Sequence, residues 1–368
     1  LTEADRLQGI ELSLIRQVMR DAPPEATNLA LGELGFPLPD ILRQQAIKLL
    51  EQGTPVYTPN AGLPELREAI SCRYSGVSPE RICVCNGVEE AVFVTLLSIL
   101  NPGDKVAIPD PDYTAYTAIC NILEANVIRL LYESDLSSVD WDIWTELLAK
   151  DVKVLILSHP SNPCGHVFSA DEAGRLAELC RRHGIILVVD EIYAQLFFDR
   201  QPVSFLGMLP SLFILGGLSK SHCMSGWRLG WVVSPIELSA SVIKARQYVS
   251  TCSNWLSQRL AVFALSTEGE KARDEIMGQL RTCRSIAIEQ FSPYPGQAFF
   301  PAAGPYMMLK VDGDDLTVCR MLAAKGVVCV PGSAFGDVAR GWLRLNYAVD
   351  PILLASALKT VCHELYLH

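Results

Sequence analysis

Long apolar runs are missing from this chain. The most extended candidate is the ten residues from Ala91 to Leu100, about half of what a membrane-spanning helix needs, so a spanning segment and a membrane partner are excluded. An excess of positive charge is missing too: 31 Lys and Arg stand against 41 Asp and Glu, for a net charge of −10. That balance leaves no broad basic surface for nucleic-acid phosphates, and small molecules are the expected partners. No Cys-x-x-Cys occurs among the 12 scattered cysteines, and Cys83 and Cys85 are the only close pair. Reduced, mostly buried thiols in a cytoplasmic enzyme fit this pattern, with neither a disulfide framework nor a metal site expected. Internal repeats, low-complexity tracts and disordered linkers are also lacking. The chain opens at Leu1 rather than Met, and its first stretch carries acidic residues without an uninterrupted apolar centre, so it is not expected to be a signal peptide.

What is present is enough apolar material for a sizeable core, 49% of 368 residues, at a length for which two domains are the starting expectation. From about residue 80, apolar strand-like runs alternate with helical patterns, the signature of an α/β domain with a largely parallel sheet. "RICVCNG", "KVAIPDPDY", "VKVLILSHPSNPCG", "IILVVDEIY", "LFILGGLSK" and "LGWVVSP" read as strands, and "VEEAVFVTLLSIL" as a helix. "SADEAGRLAELCRRHG" has a Ser/Asp start, apolar spacing and a glycine stop at Gly184, which predicts a crossover helix. After Pro235 the texture changes to two long helical stretches over about 236–290. Then come a strand "YMMLKV", a helix "LTVCRMLAAKG", and strands "VVCVPG" and "GWLRLNYAV". The expected organisation is a large domain over 36–235 and a smaller α+β domain built from 1–35 and 236–368.

In open α/β sheets, ligands sit beyond the carboxyl ends of the strands. The chemistry-bearing residues fall at those ends: Asn86, Gly87 and Val88 after the first strand, Tyr113 after the second, and Asn162 after the third. Asp190 and Tyr193 follow the fourth, and Ser219 and Lys220 the fifth. Asp190 closes a strand apolar at successive positions, as expected of one buried on both faces. An ionised carboxylate there calls for a cation, and a protonated cofactor ring nitrogen would serve; read alone, Asp190 is more readily a helix N-cap. Lys220, beside a desolvated site, would have a lowered pKa and act as a nucleophile toward an aldehyde, although a lone lysine is more often a surface cation. Arg228 can hold a phosphate as a bidentate fork, and Gly87, Val88 and Glu89 at a helix N-terminus can offer N–H groups to the same anion. An imine-forming lysine, a carboxylate for a pyridinium and an anion site together describe pyridoxal 5'-phosphate.

The sequence resembles fold type I pyridoxal-phosphate enzymes, within the class I/II aminotransferases of the aspartate aminotransferase superfamily, over nearly the whole chain. "LGELGFPLP", "YTPNAGLPELREAI", "NPGDKVAIPDPDY", "HPSNPCG", "VVDEIY", "LSKSHCMSGWRLGW", "VPGSAFG" and "WLRLNYA" recur in the family's order. The resemblance implies an aminotransferase moving the amino group of an L-amino acid to a 2-oxo acid through a Lys220 Schiff base. It implies that Asp190 pairs with the pyridine nitrogen, Tyr193 and Asn162 bond the phenolic oxygen, and Tyr113 stacks on the ring. Gly87, Val88, Ser219 and Arg228 would surround the phosphate, and Tyr57 would reach the phosphate of the neighbouring subunit of a homodimer. Arg344 would clamp the substrate carboxylate, with Asn162 and the backbone at Gly32 assisting. Two departures stand out. "NPCG" replaces the common Asn-Pro-Thr-Gly, and Glu89 and Glu90 open the phosphate-side helix, where they are expected to face away from the anion.

Read singly, Tyr57 is a turn tyrosine, Tyr113 a core aromatic and Arg344 a surface cation; only the motif context reverses this. His159, His166 and His222, and likewise Cys164 and Cys223, flank motifs but match no role, and are expected to be structural. Two other readings share the motifs: a lyase, cyclase or decarboxylase of the same fold, and a non-catalytic sensor module that retains the cofactor site.

Overall fold

The computed structural model describes residues 2–10, 14–53 and 55–367, so residues 1 and 11–13 of the N-terminal segment lie outside the described residues. Among the described residues, after a short 3₁₀ turn at Asp5–Leu7, the chain forms α1 (Leu14–Asp21), β1 (Thr27–Asn28), α2 (Asp40–Gln52) and α3 (Pro64–Ser71). The first half of the sheet region follows as β2 (Ile82–Cys85), α4 (Val88–Ile99), β3 (Lys105–Asp110), α5 (Thr114–Ile122), β4 (Asn126–Leu131) and α6 (Trp141–Leu148). The second half is β5 (Val154–Ser158), α7 (Ala170–His183), β6 (Ile186–Asp190), β7 (Leu212–Gly217) and β8 (Gly230–Val233). These strands form one sheet in the order β2-β8-β7-β6-β5-β3-β4. Its neighbours are parallel except β8, which runs antiparallel to both β7 and β2. β6 sits in the middle, with Leu187, Val188 and Val189 fully buried, as a strand covered on both faces requires.

Local signals explain the crossovers. Before α7, the Ser169 side chain accepts from the Glu172 N–H while Glu172 accepts from the Ser169 N–H, a reciprocal capping box, and Gly184 ends the helix in the left-handed conformation at φ 67°. These caps satisfy N–H and C=O groups that a helix leaves open at its ends. Ala173, Leu176, Ala177, Leu179 and Cys180 make its buried face.

Beyond Pro235, three helices stand where two were expected: α8 (Ile236–Ser250), α9 (Trp255–Ala264) and α10 (Glu270–Phe291). The break after α8 falls at Thr251, with φ 59°, and Asn254 caps α9 by accepting from the Ser257 N–H. The mostly polar stretch "STCSNW" is the local sign of the interruption. α8 lies against α4, and α9 against α2 and α3, so Leu260, Ala261 and Ala264 pack in the same core as the large sheet. α10 spans two cores, placing Ala272 in the first and Ile276, Leu280 and Cys283 in the second.

The second core gathers β9 (Ala298–Phe299), β10 (Tyr306–Lys310), α11 (Asp315–Ala324), β11 (Val327–Val328), β12 (Val330–Pro331), β13 (Trp342–Asn346) and α12 (Pro351–Tyr366). Four of these strands form an antiparallel sheet, β12-β13-β10-β9. The N-terminal segment joins this region: β1 pairs in parallel with β11, and Val18 and Ala30 pack on Val328, Val330 and Phe335. A second seam fastens the two parts together. Asp110, at the end of β3, accepts from the Asp337 and Val338 N–H groups, each at 3.2 Å.

Candidate active site

The ends of β5, β6 and β7 converge on one buried polar group. Asp190 is 4% exposed and accepts from the Tyr116 hydroxyl at 2.9 Å and the Ile192 N–H at 3.0 Å. Burial pushes its pKa up to about 6, against the opposing pull of those two bonds and of Lys220. Asp190 is not the helix N-cap of the alternative reading: no helix follows it, and its Ile192 bond closes a local turn, which leaves a negative charge in an apolar surround that a cation would relieve. Lys220 follows β7 in a tight turn, and burial lowers its ammonium pKa to about 8, helped by the charges of Arg344 and Arg228 and resisted by Glu33 and Asp190. A buried amine in this range is a competent nucleophile near neutral pH.

Beside it, the stretch from Lys220 to Trp231 turns back to β8 by close backbone contact. Arg228 adopts the left-handed conformation, φ 52° and ψ 62°, an arrangement uncommon for a residue with a side chain. Its guanidinium lies directly on Gly87, where an added Cβ would fall 2.4 Å from Nη2, and Gly230 backs onto the same turn, where a Cβ would fall 2.7 Å from the Val88 nitrogen. Gly87 has φ 90° and precedes α4, whose first residues are Val88 and Glu89. An arginine fork and open helix N–H groups therefore face one another, a pair that suits a phosphate. Ser219, 6% exposed, adjoins them one residue before Lys220. Glu90 turns away as expected, accepting from the Asn86 N–H and the Ser250 hydroxyl and lying 3.5 Å from Arg246. Glu89 does not turn away fully: the Tyr113 hydroxyl donates to it at 3.4 Å.

Across the site stands Arg344, from the middle of β13 and 2% exposed, not the surface cation that its strand alternation alone suggests. It donates through Nη1 to the Asn162 side-chain oxygen at 2.8 Å and through Nη2 to the Ala30 carbonyl at 2.6 Å. Its Nε is buried without a partner, so three of five N–H protons remain to be used. Its guanidinium lies 4.2 Å from the Tyr306 ring centre and 4.7 Å from that of Phe335. Because Arg344 takes the Asn162 oxygen, the Asn162 NH₂ keeps its two protons for another acceptor. The Tyr193 hydroxyl lies 2.7 Å from that of Tyr306, and a Cβ on Gly32 would fall 2.7 Å from the Tyr306 oxygen.

The expected residues are therefore brought together with one exception. Tyr57 is 89% exposed beside Val56, 62% exposed, and joins no group of its own chain's site. Tyr113 sits at the start of α5 with its ring edge-on to Tyr116 at 5.5 Å. Tyr116 and Tyr306 went unread in the sequence. A signal existed for Tyr116, three residues after Tyr113 on the same helical face; Tyr306 carried none without the strand register. His159 is a satisfied core histidine, accepting from the Phe168 N–H at 3.0 Å and stacked on that ring, with burial lowering its pKa to about 3. His166 bonds the Ser137 carbonyl and His222 the Ser221 hydroxyl. Cys164 is buried, and burial raises the Cys223 thiol to about 12.

A mostly parallel sheet with one reversed strand, a lysine after its fifth expected strand and an aspartate after its fourth is the arrangement that the resemblance to fold type I enzymes implies. The model of the family described as aminotransferase class I and II matches residues 24–361, and the chain belongs to that family. It is 28% identical to aspartate aminotransferase of Thermotoga maritima, covering 98% of this chain and 97% of that one. To aspartate aminotransferase of Pyrococcus horikoshii it is 28% identical, covering 97% and 96%. The structure of Thermus thermophilus aspartate aminotransferase with maleate superposes with a TM-score of 0.91 at 26% identity, over 99% of this chain and 100% of that one. The chain is an aminotransferase. Among the described residues no helix is long and apolar enough to cross a membrane.

Proposed function

We propose that this aminotransferase binds pyridoxal 5'-phosphate at the ends of β5, β6 and β7 and moves the amino group of an L-amino acid to a 2-oxo acid through Lys220. The observation that carries the reading is the placement of Lys220, just after β7, beside the buried carboxylate of Asp190 at the end of the neighbouring β6, with Arg228 against the start of α4 at Gly87. The residues fit the group: the buried Asp190 carboxylate makes no ion pair among the described residues and accepts only from neutral donors, Arg228 and the α4 N-terminus face each other across Gly87, and the Arg344 Nε is unpartnered. When bound, the cofactor supplies an aldehyde that takes up amino groups and a pyridinium that accepts electrons from Cα.

The chain's own groups do the rest. Asp190 holds the ring nitrogen protonated, Tyr193 and the Asn162 NH₂ donate to the phenolic oxygen, and Tyr113 covers the ring. Gly87, Val88, Glu89 by its backbone, Ser219 and Arg228 hold the phosphate. Arg344 takes the substrate α-carboxylate with its free N–H groups, assisted by Asn162 and the Gly32 backbone, which fixes Cα near Lys220. Lys220 Nζ then removes the Cα proton and redelivers it, as general base and acid. Aspartate is the first amino donor to test, since the Thermotoga and Pyrococcus relatives carry that name.

The functional unit in this reading is a homodimer in the cytoplasm. Tyr57, Val56, Leu50 and Ile47 are exposed, as are Tyr248 and Val249, and Asn60 ties the two stretches by donating to the Thr251 carbonyl. An apolar surface of this kind calls for a partner, and a second copy would carry Tyr57 to the neighbouring phosphate. Sedimentation as a monomer at assay concentrations would remove this part. We also draw the large domain through α9 rather than ending it at 235, because α8 packs on α4 and β2 and α9 packs on α2 and α3 within the core of the large sheet.

One experiment tests the whole. Adding aspartate without a keto acid to the cofactor-loaded protein should bleach the cofactor's visible absorption in a stoichiometric half-reaction, and Lys220→Ala should slow this by at least about a thousandfold. Persistent absorption with release of ammonia or carbon dioxide would favour the lyase or decarboxylase reading. No reaction at all in the loaded protein would favour the sensor.

A further inference from the structure

We propose that Tyr306 is a positioning residue of this centre: its hydroxyl donates to Tyr193, which reserves the Tyr193 proton for the cofactor's phenolic oxygen, while its ring supports the Arg344 guanidinium. The inference rests on the cofactor reading above and assigns a role to a residue outside the motif set.

Three observations meet at this side chain. Tyr306 is 1% exposed and Tyr193 5% exposed, and their hydroxyl oxygens are 2.7 Å apart with the rings edge to face. A phenol has one proton and two lone pairs. If Tyr193 donated to Tyr306, it would turn lone pairs toward an anionic phenolic oxygen; with Tyr306 as donor, Tyr193 keeps its proton for that oxygen and donates more strongly. Second, the register of β10 against β13 pairs Tyr306 with Asn346 and Met308 with Arg344. Tyr306 and Arg344 are thus diagonal neighbours on one sheet face, and the guanidinium rests 4.2 Å from the ring centre. Third, the chain has no side chain at Gly32, where a Cβ would come within 2.7 Å of the Tyr306 oxygen and 3.9 Å of the Tyr193 oxygen. The backbone expected to help hold the substrate carboxylate therefore lies against this hydroxyl pair. One residue touches both the group that grips the cofactor oxygen and the group that grips the substrate. Phenylalanine would fill the same space and stack on Arg344 as well; only the donated proton distinguishes tyrosine.

The measurement is the pH midpoint of the visible absorption change of the cofactor-loaded protein. Tyr306, Arg344 and Asp190 face Tyr193, and Glu33, Arg344, Arg228 and Asp190 face Lys220. Tyr306→Phe changes none of the formal charges among them. Weaker donation by Tyr193 leaves more negative charge on the phenolic oxygen, so the nitrogen joining Lys220 to the cofactor keeps its proton to higher pH. The midpoint should rise by about half a pH unit in Tyr306→Phe and by more in Tyr193→Phe. In the double variant it should rise no further than in Tyr193→Phe alone, since one path carries both effects. A wild-type midpoint in loaded Tyr306→Phe, or single shifts that add in the double variant, would overturn the proposal. If Tyr306→Phe does not fold, 3-fluorotyrosine at 306 keeps the shape and strengthens the donor, and the midpoint should fall; an unmoved midpoint there is equally fatal. A wild-type protein that acquires no visible absorption with pyridoxal phosphate would instead overturn the cofactor reading itself.

Discussion

Replacing Arg344 with lysine keeps the positive charge and removes the fork, which makes it the sharpest probe of the substrate side. In the wild type, Nη1 is held by Asn162 and Nη2 by the Ala30 carbonyl, and these two bonds fix the plane of the guanidinium, whose Nε is buried without a partner. A lysine ammonium is a point charge on a flexible stem and cannot reproduce two parallel donors. One lost charge-assisted hydrogen bond is worth about 2 kcal/mol, or roughly thirtyfold in kcat/KM for a substrate bearing the carboxylate. Arg344→Lys also leaves Asn162 or Ala30 short of a donor in a buried place, with a stability cost of about 1–3 kcal/mol, so assays belong well below its melting temperature. The informative quantity is a ratio. Single-turnover kcat/KM is measured for aspartate and for a primary amine without a carboxylate, in wild type and variant. The reasoning requires aspartate to lose about thirtyfold more than the amine. Equal losses would mean that Arg344 supports the site through packing alone, and the carboxylate assignment would have to be abandoned.

Gly87→Ala should be damaging although it adds one methyl: the backbone there has φ 90° and the new Cβ would meet Arg228 Nη2 at 2.4 Å. The conformational strain is about 1–3 kcal/mol, and cofactor affinity should fall about tenfold or more as the guanidinium is displaced; equilibrium dialysis with unchanged affinity would separate Arg228 from the phosphate. The pH dependence of cofactor uptake follows from Lys220. Its pKa is lowered from 10.5 to about 8, so the neutral nucleophile is about a tenth of the population at pH 7 and dominates above pH 8. The stopped-flow loading rate of cofactor-free protein should rise roughly tenfold between pH 7 and 9 and then level; a rate still climbing beyond pH 10 would show an unperturbed lysine.

The strands were legible where burial on both faces leaves a continuous apolar run, as in Leu187–Val189 of β6. β4 was not legible: Asn126–Leu131 lies at the sheet's edge with only Leu130 buried, and an edge strand needs no such run. The helices after Pro235 were legible as helices but not by allegiance, because an apolar face does not say which core it will meet. Lys220, Asp190 and Arg228 stood out because each is a charge set against an apolar strand or a glycine frame. Tyr116 and Tyr306 did not, since a tyrosine inside an apolar stretch looks like core until its hydroxyl has a partner, and those partners lie 74 and 113 residues away.

That distance has a consequence for how the site is assembled. The groups assigned to the cofactor, Asp190, Lys220, Gly87 and Arg228, lie at the carboxyl end of the central β6 or in the turns beside the large sheet. Arg344 and Tyr306 stand on the antiparallel sheet of the second core, and Ala30 comes from the N-terminal segment. Among the described residues the Asn162–Arg344 and Tyr193–Tyr306 side chains join across the seam through one hydrogen bond each, backbone bonds of Leu196 with Gly304, Phe198 with Ala302 and Asp112 with Phe335 run beside them, and Asp110 holds the flanking loop at residues 337 and 338. A substrate whose carboxylate lies on Arg344 and whose Cα lies over Lys220 must therefore bridge the two cores. The free energy of its binding is then available to fix their separation, which is the coordinate that decides whether Cα reaches the Lys220 amine.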